Sequence, residues 1–150
     1  MKRYIIIALT MLIMVTASAQ EAIFKKYAGQ EGISVVNISK SMLGLMSSKA
    51  KGNAKVKDIA GKLERIRILT CENHKLVGKV KKDAMEYVGK KGYEELMSTQ
   101  DGGEQVYILQ HVLGGNNYEY VVISIEKNEV SVVNIIGHLT LDEIKSISQM

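Results

Sequence analysis

Cys71 and His74 are the first residues to weigh for chemistry. A thiol and an imidazole three positions apart, in Cys71-Glu-Asn-His74, have the types of a nucleophile and its base. Cys71 falls between an expected strand and an expected helix, and a helix N-terminus lowers a thiol pKa. The plainer reading is that a single cysteine at a strand end, with no Cys-x-x-Cys, is a small buried hydrophobe. The histidines, His74, His111 and His138, share no ligand-like spacing, and neither an HExxH nor a paired-cysteine pattern occurs. No metal and no cofactor is expected. Gly89-Lys-Lys-Gly92 has the form of a loop that clamps a nucleic-acid backbone. That loop joins two helices, whereas here a strand-like run follows, so it reads as a helix end and a turn. No nucleic-acid partner is expected.

Gly114-Gly-Asn-Asn117 lacks the lysine and hydroxyl of a phosphate cradle and reads as a hairpin turn. Glu94-Glu95 and Asp142-Glu143 have no catalytic geometry; on a strand the first pair points to opposite faces. Two candidate binding surfaces remain. Tyr118 and Tyr120 share a strand face, and Tyr107 joins them if the hairpin register allows. Lys75, Lys79 and Lys82 line the polar side of a helix, with Lys81, Lys90 and Lys91 beside them. They form a solvated face, or one weakly drawn to an acidic partner or to anionic headgroups at a membrane surface.

The elements that must position these residues centre on Glu104 to Ile136. Three apolar, β-branched and aromatic runs are separated there by Gly114–Asn117 and Glu126–Glu129, the pattern of an antiparallel meander. Upstream, Ala22–Ala28 reads as a short helix with Ile23, Phe24 and Tyr27 on one face. Ile33–Ile38 reads as a strand. Met42, Leu43, Leu45 and Met46 form a helical stripe, Lys49–Lys57 a loop, and Val56, Ile59, Ala60 and Leu63 a second helix. Ile66–Thr70 reads as a strand, Asn73–Val88 as the clearest helix, and Tyr93–Ser98 as a strand turned into the meander by Asp101-Gly-Gly103. Thr140 and Glu143 form a capping box for a last helix that packs Leu141, Ile144 and Ile147 on the sheet.

Strands and helices partly segregate, which predicts an α+β fold. The expected architecture is a two-layer sandwich, a mostly antiparallel sheet with a C-terminal meander and helices packed on one face. Gln110, Ser124 and Asn134 mark the other face as partly wet. Crossovers through the helices would allow the first strands to be parallel.

The chain of 150 residues suits one domain. Met1-Lys-Arg, the apolar run Tyr4–Val15 and Ala17-Ser-Ala19 follow the order of a signal peptide. The competing reading is an uncleaved anchor, but a spanning helix needs about 20 apolar residues. The domain reading is residues 1–19 as signal peptide and 20–150 as a single α+β domain. Losing Lys2 and Arg3 lowers the net charge from +4 to +2, too little to imply a polyanion-binding surface. With one cysteine, the exported chain must fold without an internal disulfide.

Gly32–Met42, Ile66–Glu72, Gly92–Met97 with Asp101-Gly-Gly103, and Gly137–Leu141 with Ile144 occur in an order that resembles one family. It is the exported Bacteroidetes proteins grouped as domain of unknown function 4252, and the resemblance spans about Ala22 to Ile147. It implies an envelope location, periplasmic or extracellular, and a context of envelope stress or sensing, and it brings no catalytic residue. Some members carry a lipid-anchoring cysteine, which this chain lacks. The expected function is therefore a non-enzymatic accessory domain that binds a protein in the cell envelope. The alternatives are a thiol-dependent enzyme or redox protein using Cys71, and a peripheral membrane protein using the lysine-rich helix.

Overall fold

The computed structural model describes residues 22–49, 54–90 and 92–148. The expected signal peptide lies outside them, as do residues 50–53 of the expected loop. In chain order the elements are α1 (Ala22–Tyr27), β1 (Ile33–Ser39), α2 (Lys40–Lys49), α3 (Ala54–Lys62) and β2 (Leu63–Cys71). There follow α4 (Val77–Val88), β3 (Tyr93–Asp101), β4 (Glu104–Gly114), β5 (Asn117–Ile125), β6 (Val130–Gly137) and α5 (Leu141–Ser148). The six strands form one sheet in the order β1-β2-β6-β5-β4-β3. Every neighbouring pair is antiparallel, including β1 with β2, which α2 and α3 connect.

The predicted meander is present: β3, β4, β5 and β6 pair each with the next. Two of its connections are two-residue hairpins. Asp101 pairs with Glu104 around Gly102-Gly103, and Gly114 with Asn117 around Gly115-Asn116. All four central residues have positive φ, the conformation that follows strand twist and that glycine and asparagine tolerate. The third connection closes with the Glu126 N–H donating to the Glu129 carbonyl at 2.8 Å.

The expectation that helices cover one face is corrected by the packing. α1 and α4 lie on one face, with Ile23, Phe24, Tyr27, Val80, Ala84 and Tyr87 against Leu69, Val121, Ile123 and Val132. On the other face, Leu43, Ile59 and Ile144 of α2, α3 and α5 pack with Ile108, Tyr120, Val122 and Ile135. The reason is visible along β5, where odd and even positions are both apolar, as in strands covered on both sides. The second face is covered at one end only. Ser34, Thr70, Ser131 and Ser124 sit side by side in the register at its other end, and each keeps some solvent exposure. Gln110 and Ser124 thus lie on the partly wet side, but Asn134 is on the α4 face and fully buried.

Other departures are local. The long helix begins at Val77, because Asn73 forms a turn first. Its side-chain Oδ1 accepts the Lys75 N–H at 3.0 Å, and its carbonyl accepts the amides of Leu76 and Val77. The stripe expected on α2 buries only Leu43, leaving Met42, Leu45 and Met46 exposed. The capping box at α5 forms: the Thr140 N–H donates to Glu143 Oε2 at 2.9 Å and the Glu143 N–H to Thr140 Oγ1 at 3.4 Å. Leu141 and Ile144 pack as expected; the Ile147 side chain lies outside the described residues.

Salt links fasten helices to one another on each face. Lys26 Nζ and the Tyr27 hydroxyl both reach Asp83 Oδ2 at 2.6 Å, joining α1 to α4. Lys62 Nζ lies 2.8 Å from both Asp58 and Glu143, joining α3 to α5. Where α3 enters β2, the Lys62 carbonyl accepts the His138 N–H at 3.0 Å and sits against Gly137. A Cβ at Gly137 would collide with that carbonyl oxygen, which is backbone and cannot rotate away. Gly137→Ala is therefore expected to cost roughly 1–3 kcal/mol, read as a lower urea midpoint; an unchanged midpoint would refute the close approach.

Candidate functional site

The buried polar and charged residues among those described, Arg67, Glu119 and Asn134, gather beneath α4. The centre is Glu119 on β5, with no solvent exposure. Glu119 follows Val121, Ile123 and Ile125 in the same alternation, so the strand pleat turns its carboxylate into the core. A carboxylate there must be surrounded by donors, because an uncompensated one costs several kcal/mol.

Donors to it come from three elements, and a histidine from a fourth lies near. The Tyr87 hydroxyl on α4 donates to Oε1 at 2.7 Å, and the Tyr93 hydroxyl at the start of β3 donates to Oε2 at 2.7 Å. The Asn134 amide of β6 donates to Oε1. His111 of β4, paired with Glu119 in the strand register, brings Nδ1 to 3.5 Å from Oε2. That is an ion-pair distance, too long for a hydrogen bond. Arg67 of β2 extends the network, donating to Asn134 Oδ1 at 3.3 Å with its guanidinium 4.7 Å from the Phe24 ring centre. The Tyr93 ring lies 5.6 Å from Tyr87 and 5.0 Å from His111, centre to centre.

Burial and the Glu119 carboxylate push both phenols above their ordinary pKa, while the contact between them raises Tyr93 and lowers Tyr87. Desolvation dominates in each, and losing the proton would set a phenolate against Glu119. Tyr27 is raised in the same way, by burial and then by Asp83. Asp83 moves oppositely: the Lys26 ammonium, then the Tyr27 hydroxyl, hold its carboxyl below the usual range.

This arrangement has the residue types of acid–base catalysis but the geometry of a structural hub. Both phenols spend their protons on the carboxylate. Of the centre, only Tyr87 lines the shallow cleft of about 170 Å³ between α1 and α4. Among the described residues, no three of His, Cys, Asp and Glu gather as a metal site.

The residues singled out from sequence fall elsewhere. Cys71 is fully buried, its Sγ 3.8 Å from the Asn73 carbonyl oxygen, while His74 is exposed in the turn before α4. The fold does not bring them into a nucleophile–base pair. Tyr118 and Tyr120 share a face, with ring centres 6.1 Å apart. Tyr120 is buried, donating its hydroxyl to the Leu139 carbonyl at 2.6 Å. Tyr107 pairs with Ile123 and so faces the opposite side, toward α4. The expected three-tyrosine patch does not assemble, because the register puts Val112 beside Tyr118. Lys75, Lys79 and Lys82 are exposed, on α4 and the turn before it. His138 lies in the turn before α5, its Nδ1 against the Asn116 carbonyl.

Glu119 and Asn134 were not distinguished by sequence reasoning. The available signal was a carboxylate heading the apolar odd-numbered row Val121, Ile123 and Ile125, with histidine and asparagine on flanking strands.

The profile of the family described as "Domain of unknown function (DUF4252)" matches residues 27–147. The chain belongs to the DUF4252 family. The matched span runs from the end of α1 into α5 and contains Glu119 with its four nearest polar neighbours. Among curated proteins no match is found for this DUF4252 chain.

Two outcomes test the hub. Replacing Glu119 with Ala would leave two phenols and an amide buried without their acceptor, and is expected to cost about 3–5 kcal/mol. An equilibrium unfolding curve close to wild type would count against it. The raised tyrosines hold their protons in the fold and would release them near 10 when unfolded. Stability contributed this way is intact below that pH and falls as pH climbs above it. Tyrosinate absorbance in a base titration should therefore rise cooperatively with loss of structure, whereas early, independent ionisation of all tyrosines would contradict the burial.

Proposed function

We propose that this DUF4252 protein is an exported, non-enzymatic accessory domain that binds another protein in the cell envelope, periplasmic or extracellular, as the resemblance to exported Bacteroidetes proteins suggests. One observation carries the reading. Four large apolar side chains lie exposed within one stretch, β1 and the helix after it: Val36 at 43%, Met42 at 51%, Leu45 at 59% and Met46 at 51%. Met42, Leu45 and Met46 have the i, i+3, i+4 spacing of a single helix face. Exposed apolar side chains gathered in this way mark an interaction surface more often than they occur by chance. The candidate surface thereby moves from the tyrosines to the β1–α2 side of the molecule. The polar residues suited to catalysis meanwhile serve each other beneath α4, and the one thiol is buried.

Affinity capture from envelope extract tests this with a matched pair. The mature wild-type chain should retain a defined partner, and Leu45→Asp/Met46→Asp should release it without a change in melting temperature, since both positions are solvent-exposed. Equal retention by the two proteins would remove this surface; no specific retention by either would remove the reading.

A further inference from the structure

The two edges of the sheet are built differently. β3, at one edge, carries Glu94, Glu95 and Asp101 and has a bulge between Glu95 and Met97. Charges and bulges are the usual protection of an edge strand against pairing with another chain. β1, at the other edge, reads Ile-Ser-Val-Val-Asn-Ile-Ser. It has no charge and no proline, and it pairs with β2 in unbroken register over its whole length. Its outer row of backbone groups has no strand partner among the described residues.

Charge divides along the same axis. Residues 22–67 hold ten lysines and arginines against three acidic residues, a net of +7. Residues 68–150 hold eight against twelve, a net of −4. β3 and β4 carry four carboxylates and no lysine or arginine. Directly beside β1, under α1, lies a cleft of about 210 Å³ whose lining among the described residues includes Phe24, Lys25, Val35, Asn37, Arg65 and Arg67. Val35 and Asn37 are the residues that β1 turns toward this cleft.

We infer that β1 accepts an extended segment of a partner protein as a seventh strand, and that this segment alternates acidic with apolar residues. The inference rests on the protein-binding reading above and names the partner's chemistry. A strand added outside β1 would lie about 4.8 Å away, its side chains alternating between the two faces. On the α1 face, alternate positions stand at the mouth of the cationic cleft, where carboxylates meet Lys25 and Arg65. On the other face the intervening positions meet exposed Val36 and half-buried Ile38, beside the helix that carries Met42, Leu45 and Met46. Backbone hydrogen bonds supply affinity, and the two faces read the alternation. The guarded β3 edge disfavours β1 pairing with β3 of a second copy, and β1 pairing with β1 would bring two like-charged ends, each +7 over residues 22–67, together.

The test uses the isotope-labelled mature chain and capped synthetic peptides, observed by amide chemical shifts and hydrogen exchange. A peptide of alternating Glu and Val should shift β1 amides and slow their exchange, with weaker binding at higher salt. A Lys/Val peptide and a block-ordered peptide of the same Glu and Val content should do neither. Lys25→Glu should weaken binding by about tenfold or more, the scale of one lost charge-assisted contact. Val36→Lys, at a surface position where folding is undisturbed, should weaken it similarly by guarding the edge. Equal binding of Glu/Val and Lys/Val peptides, or shifts confined to other strands, would overturn the inference. So would β1 protection that appears with protein concentration alone, which would mean self-pairing, or binding to anionic vesicles with none to peptide. If envelope capture still depends on Leu45 and Met46 while the peptides fail, the protein-binding reading stands and the added strand falls.

Discussion

The fully buried carboxylate of Glu119 constrains the rest of the structure. In the middle of a sheet face its oxygens can be satisfied only by side chains brought from other elements. α4 must deliver Tyr87, β3 must begin close enough to deliver Tyr93, and β6 must turn Asn134 inward. Arg67 carries the network to β2 and, through its stacking on Phe24, to α1. The meander, the long helix and the amino-terminal helix are thus fixed to one another through one polar network. Such a network specifies an arrangement as well as stabilising it, since a half-satisfied version is worse than an apolar core.

With one face organised around that carboxylate, the second face is closed by simpler means. α2, α3 and α5 add an apolar cluster at one end, fastened by Lys62 between Asp58 and Glu143. Glu143 also serves the capping box, and the Lys62 ammonium holds its carboxyl below the usual range. Among the described residues the β1 edge and the outer side of α2 remain uncovered, as do Val112 and Leu113 at the end of β4. A fold this heavily stitched elsewhere leaves these side chains exposed without a packing reason. The functional reading starts from the β1–α2 side.

The amino-acid pattern made the meander legible because its runs are long, β-branched and punctuated by glycine pairs at hairpin spacing. The Thr140–Glu143 cap was legible because both halves of its mechanism are local. One-sided helix packing was misjudged from Gln110, Ser124 and Asn134, three polar residues that alternation alone could not assign to one face. Asn134 proved to be a donor in the core. The tyrosine patch failed for a similar reason: period two places Tyr118 with Tyr120, but only the pairing register decides where Tyr107 points. Glu119 hid between those two tyrosines. Nothing local marks it, because its partners are drawn from residues 67 to 134 and meet only in the folded chain.

Tyr93 and Asn134 act through a carboxylate they share, on Oε2 and Oε1 respectively. A double-mutant cycle with Tyr93→Phe and Asn134→Leu, read by equilibrium unfolding, measures this directly. A coupling energy of about 0.5–3 kcal/mol is predicted for residues joined in one network. Stability losses that simply add, to within about 0.3–0.5 kcal/mol, would mean that the two sites are independent and that Glu119 does not organise the fold.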